Sequence, residues 1–250
     1  MTISFQVILN SFATDVFRKQ ADYDYISARA NFRLQFRQQF LWSSQQAIEK
    51  YLKAILLFGG KSSHFYFDSH GKRKTFLHNL SALYTETLKL ELTGFELSAI
   101  NKTFLDYLQD HGSDNRYLSK SSYNLSDAIQ SLDCLVWHIR RYCQFIPSRS
   151  TSSDSSAERQ RAAQLAFITQ FTTKKAPYKF YLNGGELEKI LCQPKSNIAR
   201  QTLIWANLFF GAKKRKKVTY ASFSSSEVPP NERPWFSEEH RNLLKEYIKI

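Results

Sequence analysis

FLWSSQQAIEKYLKAILL, residues 40–57, is the stretch from which the fold can be read. Phe36, Phe40, Leu41, Ser44, Ala47, Ile48, Tyr51, Leu52, Ile55 and Leu56 recur at three- and four-residue intervals, the spacing of one helix face. The spacing predicts a helix over about 35–58, closed by Gly59-Gly60, a pair that accepts the left-handed backbone at helix ends. On the polar flank, Gln45, Glu49 and Lys53 lie one turn apart, as do Gln46 and Lys50. Glu49 and Lys53 form an i,i+4 pair in the favourable order. Small residues at Ala47 and Ala54 let a neighbouring helix approach closely.

Working outward, Leu125, Ala128, Ile129, Leu132, Leu135, Val136, Ile139, Tyr142, Cys143 and Ile146 mark a second long helix over about 124–146, stopped by Pro147. Weaker periodicities predict helices near 11–30, 77–90 and 95–109. Short connections between most of them imply antiparallel neighbours. The polar stretch 61–75 is too long for a tight helix connection and is marked as a mobile or functional segment. The expected fold is therefore all-α: an up-and-down bundle of about five helices over residues 1–147, then a Ser-rich linker at 148–160. A smaller, mainly helical basic region at 161–250 follows, either a second domain or segments wrapped on the bundle. Within it, 157–171 reads as helix, 177–182 as a short strand, 197–210 as a helix capped by Ser196, and the residues after Ser237 as a last helix.

Composition narrows the function classes. The chain has 250 residues, with 20 Phe and 13 Tyr but only 8 Gly and 6 Pro, which favours long uninterrupted elements. No apolar run reaches membrane-spanning length, and the N-terminus lacks the features of a secretory signal. Three cysteines are too few for a disulfide scaffold, so a reducing cytoplasm is the expected location. The net charge of +13 is uneven: residues 1–147 carry 17 Lys and Arg against 13 Asp and Glu, residues 148–250 carry 18 against 9. The excess suits polyanion partners. The run Lys213, Lys214, Arg215, Lys216, Lys217, with Tyr220 just beyond, sets cations beside aromatics, a pattern that fits single-stranded nucleic acid.

The segment 40–57 resembles the second helix of HEPN domains, with its aromatic residue followed by Gln-Gln-Ala-x-Glu-Lys-x-Leu-Lys-Ala. Ala21 to Arg29 is similar to the Asp-x-x-hydrophobic-x-x-Ala stretch that opens them, His78-Asn79-Leu80 to their His-Asp-Leu, and Arg116-Tyr117-Leu118 to their Arg-Tyr-Pro. The resemblance spans about residues 10–147. It implies a helical module that forms homodimers through bundle helices and engages RNA, a nucleotide or a partner protein. The partner is often a nucleotidyltransferase, in toxin–antitoxin or defence settings. It places Gln45, Gln46, Glu49, Lys50, Lys53 and His78 at a ligand or partner face. Many HEPN proteins are ribonucleases that pair Arg with His four to six residues on, near the start of the last long helix. Here residues 116–124 contain no His. The alternative is a divergent, metal-independent ribonuclease using Arg116, or Arg73 with His78, which stand at the right spacing but before the third helix.

No cofactor is expected. The Gly-Gly-Lys-Ser run at 59–62 lacks both the earlier glycine and the preceding strand of a phosphate loop. No metal is expected either. His64, Asp68, His70 and His78 lack regular ligand spacing, and Cys134 with His138, one helical turn apart, reads as packing.

Overall fold

The computed structural model describes residues 4–112, 127–147, 155–171 and 179–211, together with 237–239 and Asn242. The architecture is all-α. The first rod is continuous from Phe5 to Arg33: α1 (Phe5–Phe12), a π-helical turn (Ala13–Arg18) and α2 (Lys19–Arg33). After the turn at Gln35, which is left-handed at φ 65°, come α3 (Arg37–Phe58), the hairpin β1 (Phe65–Phe67) and β2 (Arg73–Thr75), α4 (Leu80–Leu88), α5 (Ala99–His111) and α6 (Ala128–Arg140). Beyond the bundle lie α7 (Ser155–Thr169), α8 (Glu186–Leu191) and α9 (Ile198–Ile204).

Helix α3 is central and packs against the first rod, α4, α5 and α6. Its contacts with α2 run in opposite directions along the chain: Asn31 meets Ser43, Asp24 meets Lys50, and the Tyr51 hydroxyl donates to Asp22 at 2.6 Å. The two are therefore antiparallel. Helix α6 runs antiparallel to α2 in the same way, with Tyr25 on Asp133 and Asp22 on Arg140. Phe40, Ala47, Ile48, Tyr51 and Leu52 are fully buried, as the helix-face spacing requires. Fully burying an apolar side chain of that size is worth about 1.5–3 kcal/mol.

Several elements differ from their sequence-based limits. The first rod starts at Phe5 rather than near residue 11. Its opening turns carry an apolar outer side that the bundle leaves exposed, including Phe5, Ile8 and Phe12. Helix α6 ends at Arg140, well before Pro147. The chain there tightens into three-residue turns, because the Cys143 carbonyl accepts from Arg18 Nη1 at 3.0 Å and the Gln144 side chain donates to the Arg141 carbonyl at 2.7 Å. Residues 61–75 fold as a hairpin. The described part of 177–182, residues 179–182, is not extended strand.

Helix α7 begins at Ser155, inside the stretch read as linker. Arg161 fixes it by donating to the carbonyls of Pro147, Leu90 and Glu91, while Leu165 and Ile168 enter the core. Helix α9 is capped by the Asn197 side chain, not by Ser196. It stops at Ile204, because Ala206 is left-handed at φ 51° and the Asn207 side chain captures the amides of Phe209 and Phe210. Leu187, Ile190, Leu203 and Phe210 share the buried cluster of the bundle.

Candidate functional site

Three turns of α3 build the polar face that the sequence singled out. Gln45 and Glu49 are almost wholly buried, while Gln46, Lys50 and Lys53 are half-buried. Lys50 leaves the face to pair with Asp24 of α2. Burial raises the Asp24 carboxyl above its ordinary range, against the pull of that lysine. Lys53 Nζ sits 2.6 Å from Glu49 Oε1. The other carboxylate oxygen, Oε2, accepts from His78 Nδ1 at 2.9 Å. Gln45 Nε2 donates to the His78 carbonyl at 3.3 Å, so α3 grips both the ring and the main chain of His78. The Trp42 ring stands edge-on to the imidazole, 6.3 Å away.

The segment leading to α4 explains why His78 arrives there. Leu77 adopts the left-handed backbone at φ 45°, a conformation that costs a non-glycine residue about 1 kcal/mol or more. Asn79 then caps α4 through the amide of Ala82, and Leu80 is buried. The Leu80 amide donates to Gln109 Oε1 at 2.5 Å, tying α5 to the same corner. At Gly112, just past α5, an added Cβ would fall 2.3 Å from Gln45 Oε1, so the backbone presses on this face.

This geometry has a chemical meaning. A carboxylate only accepts, so Nδ1 of His78 carries a hydrogen, which in the neutral ring leaves the lone pair on Nε2. The ring is 55% exposed. Such an imidazole can accept a hydrogen bond or a proton from a ligand hydroxyl, and in its cationic form it can donate to a phosphate.

Of the other expected site residues, Arg73 lies on the hairpin with its guanidinium 4.0 Å from the centre of the Phe65 ring. Arg73 and His78 are thus held by different partners. Arg116, Lys213, Lys214, Arg215, Lys216, Lys217 and Tyr220 lie outside the described residues. Among the described residues no group of three or more His, Cys, Asp and Glu is arranged to hold a metal. Asp68 Oδ1 accepts from the backbone amides of His70 and Lys72. His138 Nε2 meets the Phe95 carbonyl at 2.9 Å. Burial, partly offset by that bond, lowers its pKa to about 4. Burial also pushes the Cys134 thiol up.

The sequence reading missed two buried charged networks. In the first, Arg140 forks to Asp22 (2.7 and 2.8 Å) and to Glu188 of α8 (2.8 and 2.6 Å). Asp22 also accepts from the amides of Glu186 and Leu187 and from Tyr51. Burial alone would weaken the Arg140 charge, but the two carboxylates hold its pKa well above the ordinary value. In the second, Arg29 binds Asp133 and the carbonyls of Thr202 and Trp205, while Tyr25 bridges Asp133 to Asn207. In the sequence Asp22, Arg29, Asp133 and Arg140 flank the apolar stripes of their helices rather than interrupt them, so no local signal marked them as buried. Both networks are closed to solvent and clamp the segment 179–211 onto α2 and α6. One cleft of about 560 Å³ opens at the C-terminal end of α3, with Gly59, Gly60, Lys61, Lys89, Tyr142 and Arg161 among its lining.

Comparison with known proteins finds the model of the HEPN domain matching residues 14–136. No curated protein and no solved structure matches the chain. No described helix is long and apolar enough to cross a membrane.

Proposed function

With residues 14–136 of this chain a HEPN domain, we propose that the protein is a HEPN-type binding module. It pairs with a second copy through bundle helices and engages RNA, a nucleotide or a partner protein, a nucleotidyltransferase being the partner the family suggests. The observation that carries this reading is the grip of α3 on His78: Glu49 fixes the ring, Gln45 fixes the main chain, and the ring stays more than half exposed. A core histidine would be covered. A free surface histidine would have no buried carboxylate beneath it. The basic run at Lys213–Lys217 supplies the long-range attraction that a polyanion partner needs.

Two measurements on the purified full chain test the module. Sedimentation should give twice the monomer mass of 29.2 kDa. Binding of labelled RNA at about 50 mM salt should weaken as salt rises, in proportion to the number of phosphates neutralised. A monomer that ignores RNA at low salt, or binds it with no salt dependence, removes the proposal.

A second reading is favoured by the same histidine. A carboxylate-oriented imidazole is also the arrangement of a general base, and Arg73 or Arg116 would supply the cation for the phosphate in a divergent, metal-independent ribonuclease. Against it stands the lack of a His in residues 116–124. Incubation with total RNA decides. Cleavage by the parent chain that is lost in an Arg73→Ala, His78→Ala double variant establishes the enzyme, and intact RNA with both proteins leaves the binding module.

A further inference from the structure

The hairpin between α3 and α4 has two unlike faces. Its register pairs Phe65 with Thr75, Tyr66 with Lys74 and Phe67 with Arg73, and side chains alternate along each strand. Tyr66 therefore stands on one face, where it stacks on the buried Phe76 at 4.9 Å and 27° and anchors the hairpin to the core. Phe65, Phe67, Arg73 and Thr75 share the other. On that outer face Phe67 is 57% exposed. The Phe65 and Phe67 rings lie 5.8 Å apart, and the Arg73 guanidinium covers Phe65.

The charge around this platform is one-sided. Residues 61–75 hold Lys61, Lys72, Arg73 and Lys74 against the single acid Asp68. The Asp68 carboxylate is occupied by the turn, where it accepts from two backbone amides and Gly71 takes the left-handed φ of 72°. Lys72, Arg73 and Lys74 are all exposed, Arg73 on the Phe67 face and Lys74 on the Tyr66 face at the ribbon's other side, and none makes an ion pair among the described residues.

We propose that this hairpin is a binding finger for single-stranded nucleic acid: unpaired bases stack on Phe67 and on the Arg73–Phe65 pair, and the adjacent cations neutralise phosphates. The inference deepens the RNA-binding reading above and rests on it. Aromatic faces and cations on one ribbon are what an unpaired strand offers ligands for, because every base has a stacking face and every linkage a negative charge. A duplex hides its base faces, and an acidic peptide would use the cations but leave Phe67 uncovered.

The test measures fluorescence anisotropy of the full chain with labelled single-stranded RNA, single-stranded DNA and duplex RNA over a salt series. Phe67→Ala removes the platform at an exposed position. Lys72→Ala, Arg73→Ala and Lys74→Ala together remove cations. A third variant neutralises Lys213–Lys217. Helical circular dichroism checks the fold of each. Phe67→Ala should weaken single-strand binding about tenfold, the scale of one lost base stack, and leave duplex binding unchanged. The triple variant should lower the salt slope for a single strand by about 2. If both hairpin variants bind like the parent while neutralising Lys213–Lys217 abolishes binding, the finger is wrong and RNA binding stands. If Phe67→Ala weakens duplex and single strand equally, the stacking role is wrong. If the parent chain binds no nucleic acid at about 50 mM salt, both readings fall.

Discussion

Asp22 and Glu49 are both carboxylates at the heart of a cluster, yet they serve different ends. Asp22 is wholly buried and receives Arg140, Tyr51 and two backbone amides, and every donor comes from the protein's own interior. Glu49 is nearly as buried, but one of its two partners is a histidine whose ring stays in solvent. The first carboxylate closes a structure. The second transmits its orientation to the surface. Burial of a charge is thus no guide to function by itself; what separates lock from site is whether the far end of the network meets water.

The contrast can be broken from either side. The largest effect should come from Arg140→Ala, which strands two buried carboxylates. A loss of about 3–5 kcal/mol in urea or thermal unfolding is expected, whereas His78→Ala should cost less than about 1 kcal/mol. Equal costs would erase the distinction. Next is Gly185→Ala. An added Cβ would stand 2.0 Å from Glu188 Oε2 and 2.6 Å from Arg140 Nη2, so the network must shift, at about 1–3 kcal/mol.

A pH series sharpens the same point at another buried group. The folded-state pKa of His138 is held at about 4 by burial, below its unfolded value of about 6.5. The unfolded chain therefore binds more protons between these values. The stability His138 contributes is complete above pH 6.5 and is lost as pH falls toward 4, with a slope of up to about 1.4 kcal/mol per pH unit. His138→Gln should flatten that slope in denaturation midpoints. The smallest stability effect should come from Glu49→Gln, because the amide keeps the carboxylate's shape and both partners, Lys53 and His78, reach solvent. Its proper readout is the His78 imidazole in nuclear magnetic resonance: the Nδ1-protonated tautomer should lose its dominance, and an unchanged tautomer would show that Glu49 does not set it.

Much of the fold was legible because it rests on periodicity. Helix α3 follows the apolar spacing of residues 40–57 to within a turn, and the Gln45, Glu49, Lys53 and His78 group was readable because three of its members share one helix face and the fourth belongs to a motif resembling that of a family. The hairpin at 65–75 was harder. Three-residue strands leave little alternation to read, and its turn is made by an Asp side chain rather than by an Asn-Gly or Asp-Gly pair. The two arginine networks were not legible in one sequence. Arg140 meets Glu188 across 48 positions and Asp22 across 118, and nothing local distinguishes Glu188 from an acid on a solvated helix face.

Those separations set an order of events during synthesis. Asp22 leaves the ribosome with α2, but the amides of Glu186 and Leu187 that cap its carboxylate follow 164 and 165 residues later. At about 5–20 residues per second, that is on the order of ten to thirty seconds of elongation. Through that interval the nascent bundle carries an interior acid and, at Arg29, an interior base whose carbonyl acceptors on Thr202 and Trp205 have not yet been made. Asp133 and Arg140 come earlier, so each charge can meet its ion-pair partner before the main-chain groups that complete its coordination have been made.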